Sequence, residues 1–220
     1  MIVDNFKEIF DMLDFSDPDT YYLVEIIKRS KDGEGKRATE IIDTIFLYEN
    51  KNRLEEKIEK IKILCSTFKA KAYIYLNRRS FEKTAVNTLL QASKYLESKN
   101  FRAFLKLPYK VSGISPAEKK ENKKWIVDVD DSDETNLNVY SGMVKYCLDE
   151  DKKKVVSVLK TKNGFHIITP PFNLKIFRAV EEDEGLSKIT VYKESPTLLY
   201  YDDREKEKGF TAYGKREDWE

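Results

Sequence analysis

The chain is poor in the residues that most often build metal clusters and disulfide frameworks. Its 220 residues include only two cysteines and one histidine. Cys65 and Cys147 lie far apart and neither belongs to a CxxC pair, which excludes a zinc ribbon and argues against a disulfide framework. We therefore expect two buried free thiols and no zinc, because free cysteine packs as a small hydrophobic residue.

The chain also lacks long apolar runs and any excess of charge. No run approaches the roughly 18 apolar residues that a membrane span requires, so we expect no membrane partner. Forty basic and 39 acidic residues leave a formal net charge of +1, and any binding of nucleic acid must therefore be local. The N-terminal residues lack the basic start and apolar segment of a signal peptide. A cytoplasmic protein is expected.

A hydrophobic content of 40% is enough for a substantial core. Apolar, β-branched runs at residues 21–29 and 41–48 predict a β-hairpin around a basic loop at residues 31–37. From residue 51 to residue 68, apolar residues recur at helical spacing, which predicts an amphipathic helix.

Residues 70–99 are typical of a strand, a basic turn and a helix. The strand is predicted at 70–76, and Ser80 is a good N-cap for a helix that ends near Lys99. This order is typical of a βαβ unit. Arg78 and Arg79 would then lie at the C-terminal end of a strand, where α/β sheets place ligands, and could bind a phosphate or a nucleic-acid backbone. The alternative is a solvated turn. The helix stripe expected in the core is Phe81, Ala85, Leu89, Ala92 and Leu96.

An apolar run that begins at Trp125 ends in two acidic residues, Asp128 and Asp130. A strand repeats every two residues, so both carboxylates lie on one face. They could supply oxygen ligands to a divalent cation. A solvated pair of acids at a strand end is the alternative, and the following residues lack the glycine and final glutamate of an EF-hand.

Asn163-Gly164 between two apolar runs predicts a two-residue hairpin with a type I′ turn. In this hairpin His166 and Thr161 share a face and Ile167 lies on the other. Thr161, Lys162 and Asn163 are donors that suit a phosphate, whereas a lone histidine in an apolar strand is otherwise a satisfied core residue. The predicted register pairs Lys162 with Phe165, Thr161 with His166, and Lys160 with Ile167.

The order apolar-Asp-x-Asp, then Lys-x-Asn-Gly-Phe-His, resembles the first two motifs of the archaeo-eukaryotic primase superfamily, whose members include primase-polymerases of phages and plasmids. The resemblance covers about residues 70 to 203. It implies an α+β fold with an N-terminal α/β unit at 1–113 and an RNA-recognition-like catalytic module at 114–203. The remaining residues, 204–220, form a highly charged tail of the composition typical of disorder.

The resemblance also implies roles for individual residues. Asp128 and Asp130 would hold catalytic Mg²⁺ or Mn²⁺. His166 would contact the phosphates of a nucleoside triphosphate, and Arg78 and Arg79 would lie on the side that handles template or nucleotide, with single-stranded nucleic acid as a further partner. The other residues expected to line the nucleotide pocket are Thr161, Lys162 and Asn163.

The third motif of the superfamily is a further acid on a strand. Thr190 occupies the expected position, and Asp202 or Asp203 is the alternative metal ligand. Three interpretations follow: a primase-like nucleotidyltransferase, a catalytically impaired nucleotide- or nucleic-acid-binding protein of a phage or replication assembly, and a metal-dependent nuclease that uses Lys160 with the acid pair.

Overall fold

A computed structural model describes residues 1–29, 39–119, 122–148 and 157–204. Within these ranges the chain is a mixed α+β protein whose strand pairs are all antiparallel. None of the helices described there is long and apolar enough to cross a membrane. The predicted basic loop at 31–37 lies outside these ranges, as does the predicted tail at 204–220 except for Arg204.

The strands are β1 (Ile2–Asp4), β2 (Thr20–Lys28), β3 (Glu40–Leu47), β4 (Lys71–Ile74), β5 (Arg79–Ser80), β6 (Trp125–Val129), β7 (Ser157–Lys160), β8 (Phe165–Thr169), β9 (Thr190–Tyr192) and β10 (Thr197–Asp202). The α-helices are α1 (Phe6–Met12), α2 (Asn52–Glu55), α3 (Ile58–Phe68), α4 (Phe81–Glu97), α5 (Leu107–Gly113), α6 (Glu134–Cys147) and α7 (Leu174–Asp183), and a 3₁₀ helix spans Phe101–Lys106.

The first sheet has the strand order β1-β10-β4-β2-β3, and β5 pairs with β2 outside this path. The predicted hairpin of β2 and β3 is confirmed by their antiparallel pairing from Tyr22–Leu47 to Lys28–Glu40, with one register shift between Ile26 and Ile27. Strand β10 lies near the end of the described chain but pairs with β1 and β4. The boundary predicted at 113/114 therefore does not follow the sheets.

The second sheet has the order β7-β8-β6-β9 and shares the main hydrophobic core with the first sheet. One of its faces packs against α6 and α7, where Val127 and Ile167 meet Val144 and Phe177. Other residues of the sheet belong to the main core together with strands β2 and β4 and helix α3; these are Ile126, Leu159 and Ile168. Both cysteines are buried and free, as predicted.

The prediction of a βαβ unit at residues 70–99 is wrong. Strand β4 lies between β10 and β2 and is antiparallel to both. A strand-turn-helix pattern specifies the local elements but not the direction of the strand's partners, which here are contributed by distant parts of the chain.

Helix α4 begins as predicted, because the Ser80 Oγ accepts a hydrogen bond of 3.2 Å from the Lys83 N–H. Its predicted core stripe is wrong. No residue of α4 is buried, and Leu89 is 72% exposed. Apolar periodicity identifies a helix with two different faces but does not show that another element covers the apolar one. Here α4 contacts α5, the 3₁₀ helix and β5.

We expect Leu89→Lys to change the free energy of unfolding by less than about 0.5 kcal/mol, because the side chain is mostly in water. The comparison variant Ile61→Ala removes a side chain with no exposed surface and should cost about 2–5 kcal/mol. Urea unfolding followed by circular dichroism measures both. A loss in Leu89→Lys as large as that of Ile61→Ala would contradict the exposed position of this face.

Candidate functional site

A cavity of about 750 Å³ lies between the two sheets. Asp128 of β6 and His166 of β8 are paired directly across the antiparallel register, so their side chains share one face of the sheet. The loop between β7 and β8 lies at the same end of the sheet. Six of the residues that the sequence indicated for metal and nucleotide binding line this cavity: Asp128, Asp130, Thr161, Lys162, Asn163 and His166.

The ring of His166 connects the acid pair to the first sheet. Its Nε2 lies 3.2 Å from Asp128 Oδ1, and its Nδ1 lies 2.8 Å from the hydroxyl of Thr197. An ionised carboxylate only accepts hydrogen bonds, so a hydrogen bond to Asp128 would require the proton on Nε2, and Nδ1 of the neutral ring would then accept from Thr197. Thr197 is fully buried on β10, and this contact fixes the orientation of the ring. Sequence reasoning missed Thr197, because only the packing of β10 brings it to the site.

The hairpin register differs from the predicted one by two residues. Lys160 pairs with Phe165, and the loop contains the four residues 161–164. The Thr161 N–H donates to the Gly164 carbonyl over 2.8 Å, and the Gly164 N–H donates to Thr161 Oγ1 over 3.0 Å. The positive φ angles that a type I′ turn requires do not occur at Asn163 or Gly164. Because the shift is two residues, His166 keeps the face that was predicted for it.

Gly164 is required by close packing rather than by its φ angle. A Cβ atom at this position would lie 2.0 Å from the Val129 carbonyl oxygen and 2.6 Å from the Asp131 nitrogen. The loop therefore packs directly on the end of β6, where the acid pair lies. The base of the hairpin is held by the buried side chain of Asn5, which donates to the Lys160 carbonyl over 2.9 Å and to the Leu198 carbonyl over 2.8 Å.

The first sheet contributes cationic side chains to the cavity that sequence reasoning missed. Arg29 and Lys71 line it together with Tyr73. The Arg29 guanidinium lies 4.8 Å from the centre of the Tyr73 ring, and the Lys71 ammonium lies 5.0 Å from that of Tyr201. The signal available in the sequence was a lysine within a short apolar strand. In the structure Lys71 is only 7% exposed. The cavity thus combines two carboxylates with cations from the opposite sheet.

Strand β9 lies beside β6, and Thr190 pairs directly with Asp128. The residue next to the acid pair is therefore a threonine, at the position where the third motif of the superfamily has an acid. Asp202 does not line the cavity. Its carboxylate accepts hydrogen bonds from the Arg204 side chain over 3.0 and 2.7 Å, and these contacts lower the pKa of Asp202 to about 2. The expectation that Asp202 is a metal ligand has no support in this arrangement.

Two carboxylates and a neighbouring hydroxyl fit one class of metal site. Proteins commonly hold Mg²⁺ through one or two carboxylates, with the phosphates of a substrate and water as the other ligands. Asp128 and Asp130 match this class. A site formed by the protein alone is not indicated, because the described ranges contain no group of three or more His, Cys, Asp or Glu residues placed to hold a metal.

Arg78 and Arg79 do not line the cavity. The Arg78 Nε donates to Glu118 over 2.6 Å, a contact that raises the pKa of the arginine. Arg79 is fully buried, and its Nη1 donates to Glu194 over 2.7 Å. Burial of Arg79 is incompatible with the predicted contact to a nucleic-acid backbone. Both arginines instead hold other segments of the chain in place.

The chain matches no family model, no curated protein and no solved structure. Function is therefore inferred from the residues that converge on the cavity.

Proposed function

We propose that this chain is a primase-like nucleotidyltransferase that joins a hydroxyl group of a nucleic acid to the α-phosphate of a nucleoside triphosphate. One observation carries the proposal. A single cavity holds the acid pair, the histidine and the hairpin donors on one side, and Arg29 and Lys71 on the other. Proteins bind a triphosphate through a divalent cation and through basic side chains. In this cavity the acid pair could hold the cation, and Arg29 and Lys71 supply the basic side chains.

Asp128 and Asp130 would hold Mg²⁺ or Mn²⁺, and a metal bound there supplies charge neutralisation for the attacking and leaving oxygens of phosphoryl transfer. With its proton on Nε2, His166 would present an N–H at the acid pair, where a phosphate oxygen could accept it in place of Asp128. The hydrogen bond to Thr197 keeps the ring in that orientation. Thr161 and Asn163 add donors from the hairpin loop, and the cations of the first sheet complement the rest of the phosphate chain.

The test is template-dependent incorporation of a labelled nucleotide with Mn²⁺ or Mg²⁺, alongside calorimetric titration with nucleoside triphosphates. Wild-type protein should extend a primer and bind nucleotide more tightly with metal present. The absence of both incorporation and metal-dependent nucleotide binding would overturn the proposal.

The second candidate function is a catalytically impaired primase-like protein that binds nucleotide or nucleic acid. Thr190 favours it, because a threonine lies beside Asp128 where a third acid would complete a stronger metal site. Metal-dependent nucleotide binding without turnover would select this function. A nuclease based on Lys160 has less support, because Lys160 does not line the cavity.

Thr190→Asp should complete an acidic triad beside Asp128. Because metal affinity rises with the number of charged ligands, we expect Mn²⁺ to bind at least about tenfold more tightly. Without metal, the midpoint of thermal unfolding should fall, since like charges directly opposite each other on adjacent strands repel. Titration calorimetry and thermal unfolding with and without Mn²⁺ measure these effects. Thr190→Asn is the uncharged control, and equal Mn²⁺ affinity in the two variants would contradict the prediction.

A further inference from the structure

A second, smaller cavity of about 410 Å³ adjoins the acid pair. Asp128 and Asp130 line both cavities. The remaining walls of the smaller one come from the start of α6 and from the segment 185–190 that leads into β9. The two acids therefore lie where the larger and the smaller cavity, called the two chambers below, meet. Such an arrangement suits a reaction that joins two substrates.

The segment before β9 is held in place by side chains behind it. The Tyr140 hydroxyl donates to the Ser187 carbonyl over 2.8 Å. Glu181, which is 4% exposed, accepts the Ile189 N–H over 3.0 Å, and Arg178 donates to the Ile189 carbonyl over 2.8 Å. These contacts do not depend on any ligand, so this wall of the smaller cavity is formed in advance.

The charges of the two chambers differ. The larger contains Arg29, Lys71 and Lys162 in addition to the acid pair. The smaller adds a third carboxylate, Asp131, and Lys188 is the single cation among its described lining residues. A triphosphate in the smaller chamber would lie beside three carboxylates with one cation, which is electrostatically unfavourable. The polyphosphate therefore belongs in the larger chamber.

We propose that the smaller cavity binds the acceptor, namely the terminal hydroxyl-bearing nucleoside of the strand that is extended. This inference rests on the proposed nucleotidyltransferase function. The volume lies in the range of about 300–1,000 Å³ that is typical of small-molecule sites. Polar groups of Asn136 and Ser187 line it and suit the hydroxyls and base edges of a nucleoside.

The reaction then proceeds across the junction of the chambers. The acceptor hydroxyl oxygen forms a bond to the α-phosphorus, and the bond between that phosphorus and the oxygen bridging to the β-phosphate breaks. The hydroxyl proton passes to water. Pyrophosphate takes the bonding electron pair and leaves through the larger, cationic chamber.

The test is steady-state extension of a fluorescently labelled DNA primer on a template, with primer and nucleotide varied separately. Ser187→Phe places a bulky ring in the smaller cavity and should raise the KM for primer at least tenfold, with the KM for nucleotide unchanged. Arg29→Ala, in the larger cavity, should show the opposite pattern. Ser187→Ala removes the hydroxyl without filling the cavity and should raise the KM for primer less than Ser187→Phe does. Lys175→Ala, on the exposed side of α7 and outside both cavities, is the control for loss of a basic side chain and should leave both KM values unchanged.

Calorimetric binding of nucleoside triphosphate verifies that Ser187→Phe is folded and retains the larger site. An active wild type together with an unchanged primer KM in Ser187→Phe would overturn the acceptor site and leave the proposed function standing. The same holds if both KM values rise equally. A wild type that neither extends a primer nor binds nucleotide overturns the proposed function, and the acceptor site with it.

Discussion

Asp128→Asn is expected to lower kcat/KM for nucleotide incorporation by at least about 100-fold, the scale of losing one strong electrostatic contribution to phosphoryl transfer. Asparagine retains the shape of the side chain and one acceptor oxygen, so the contact with His166 Nε2 can persist. The variant loses the negative charge that a metal bound at this position would require. The loss should therefore fall on catalysis and on the metal dependence of nucleotide binding, with the fold retained.

The matched control is Asp133→Asn. Asp133 is close in sequence but lines neither cavity, and its side chain caps α6 by accepting from the Thr135 N–H over 2.8 Å. Asparagine caps helices about as well as aspartate, so activity and stability should be retained. His166→Ala is a second site variant and should raise the KM for nucleotide. Full incorporation activity in Asp128→Asn would remove the acid pair from the reaction.

Gly164→Ala is expected to lower the free energy of unfolding by about 3 kcal/mol, at the upper end of the cost of overpacking. The added methyl group would lie 2.0 Å from the Val129 carbonyl oxygen. Its close neighbours are all backbone atoms of the chain around the end of β6, so no flexible side chain can move aside. The loop that contains Lys162 and Asn163 would be displaced from the acid pair, and nucleotide binding should weaken as well.

Gly142→Ala provides the control for this variant. Gly142 lies within α6, where a Cβ would meet no atom within 4 Å, and alanine in a helix is favoured over glycine by about 0.5–1 kcal/mol. Urea unfolding should therefore show a small gain for Gly142→Ala and a large loss for Gly164→Ala. Equal stability of the two variants would show that the hairpin loop can move away from β6 at little cost.

The local features of the site could be predicted from the sequence. The apolar run that ends in Asp128 and Asp130 is a strand, and residues on both sides of the 161–164 loop form a hairpin that presents His166. Ser80 caps its helix. These features follow from residue preferences and periodicity over a few neighbouring residues. The α+β class follows from the same local patterns, whereas the primase-like form of the fold stays a prediction.

The hairpin register and the environment of α4 required the tertiary structure. Asn163-Gly164 favours a two-residue turn by itself, but packing of Gly164 on the end of β6 selects a four-residue loop. The apolar residues of α4 have the spacing of a core helix, yet none is buried. In both cases the outcome depends on how distant segments of the chain pack, which the local preference does not specify.

By itself the sequence determined the acid pair, the histidine and the loop donors, because a strand's alternation and a short hairpin place neighbouring residues predictably. The tertiary structure alone decided what surrounds them: Thr197 behind the histidine, Arg29 and Lys71 across the cavity, Thr190 beside Asp128 and a second chamber on the same acids. It also placed Arg79 in the interior and paired Asp202 with Arg204, so that neither residue lines the cavity. The physical reason is that contacts between strands distant in sequence depend on how the two sheets bury their apolar faces together, which no local pattern encodes.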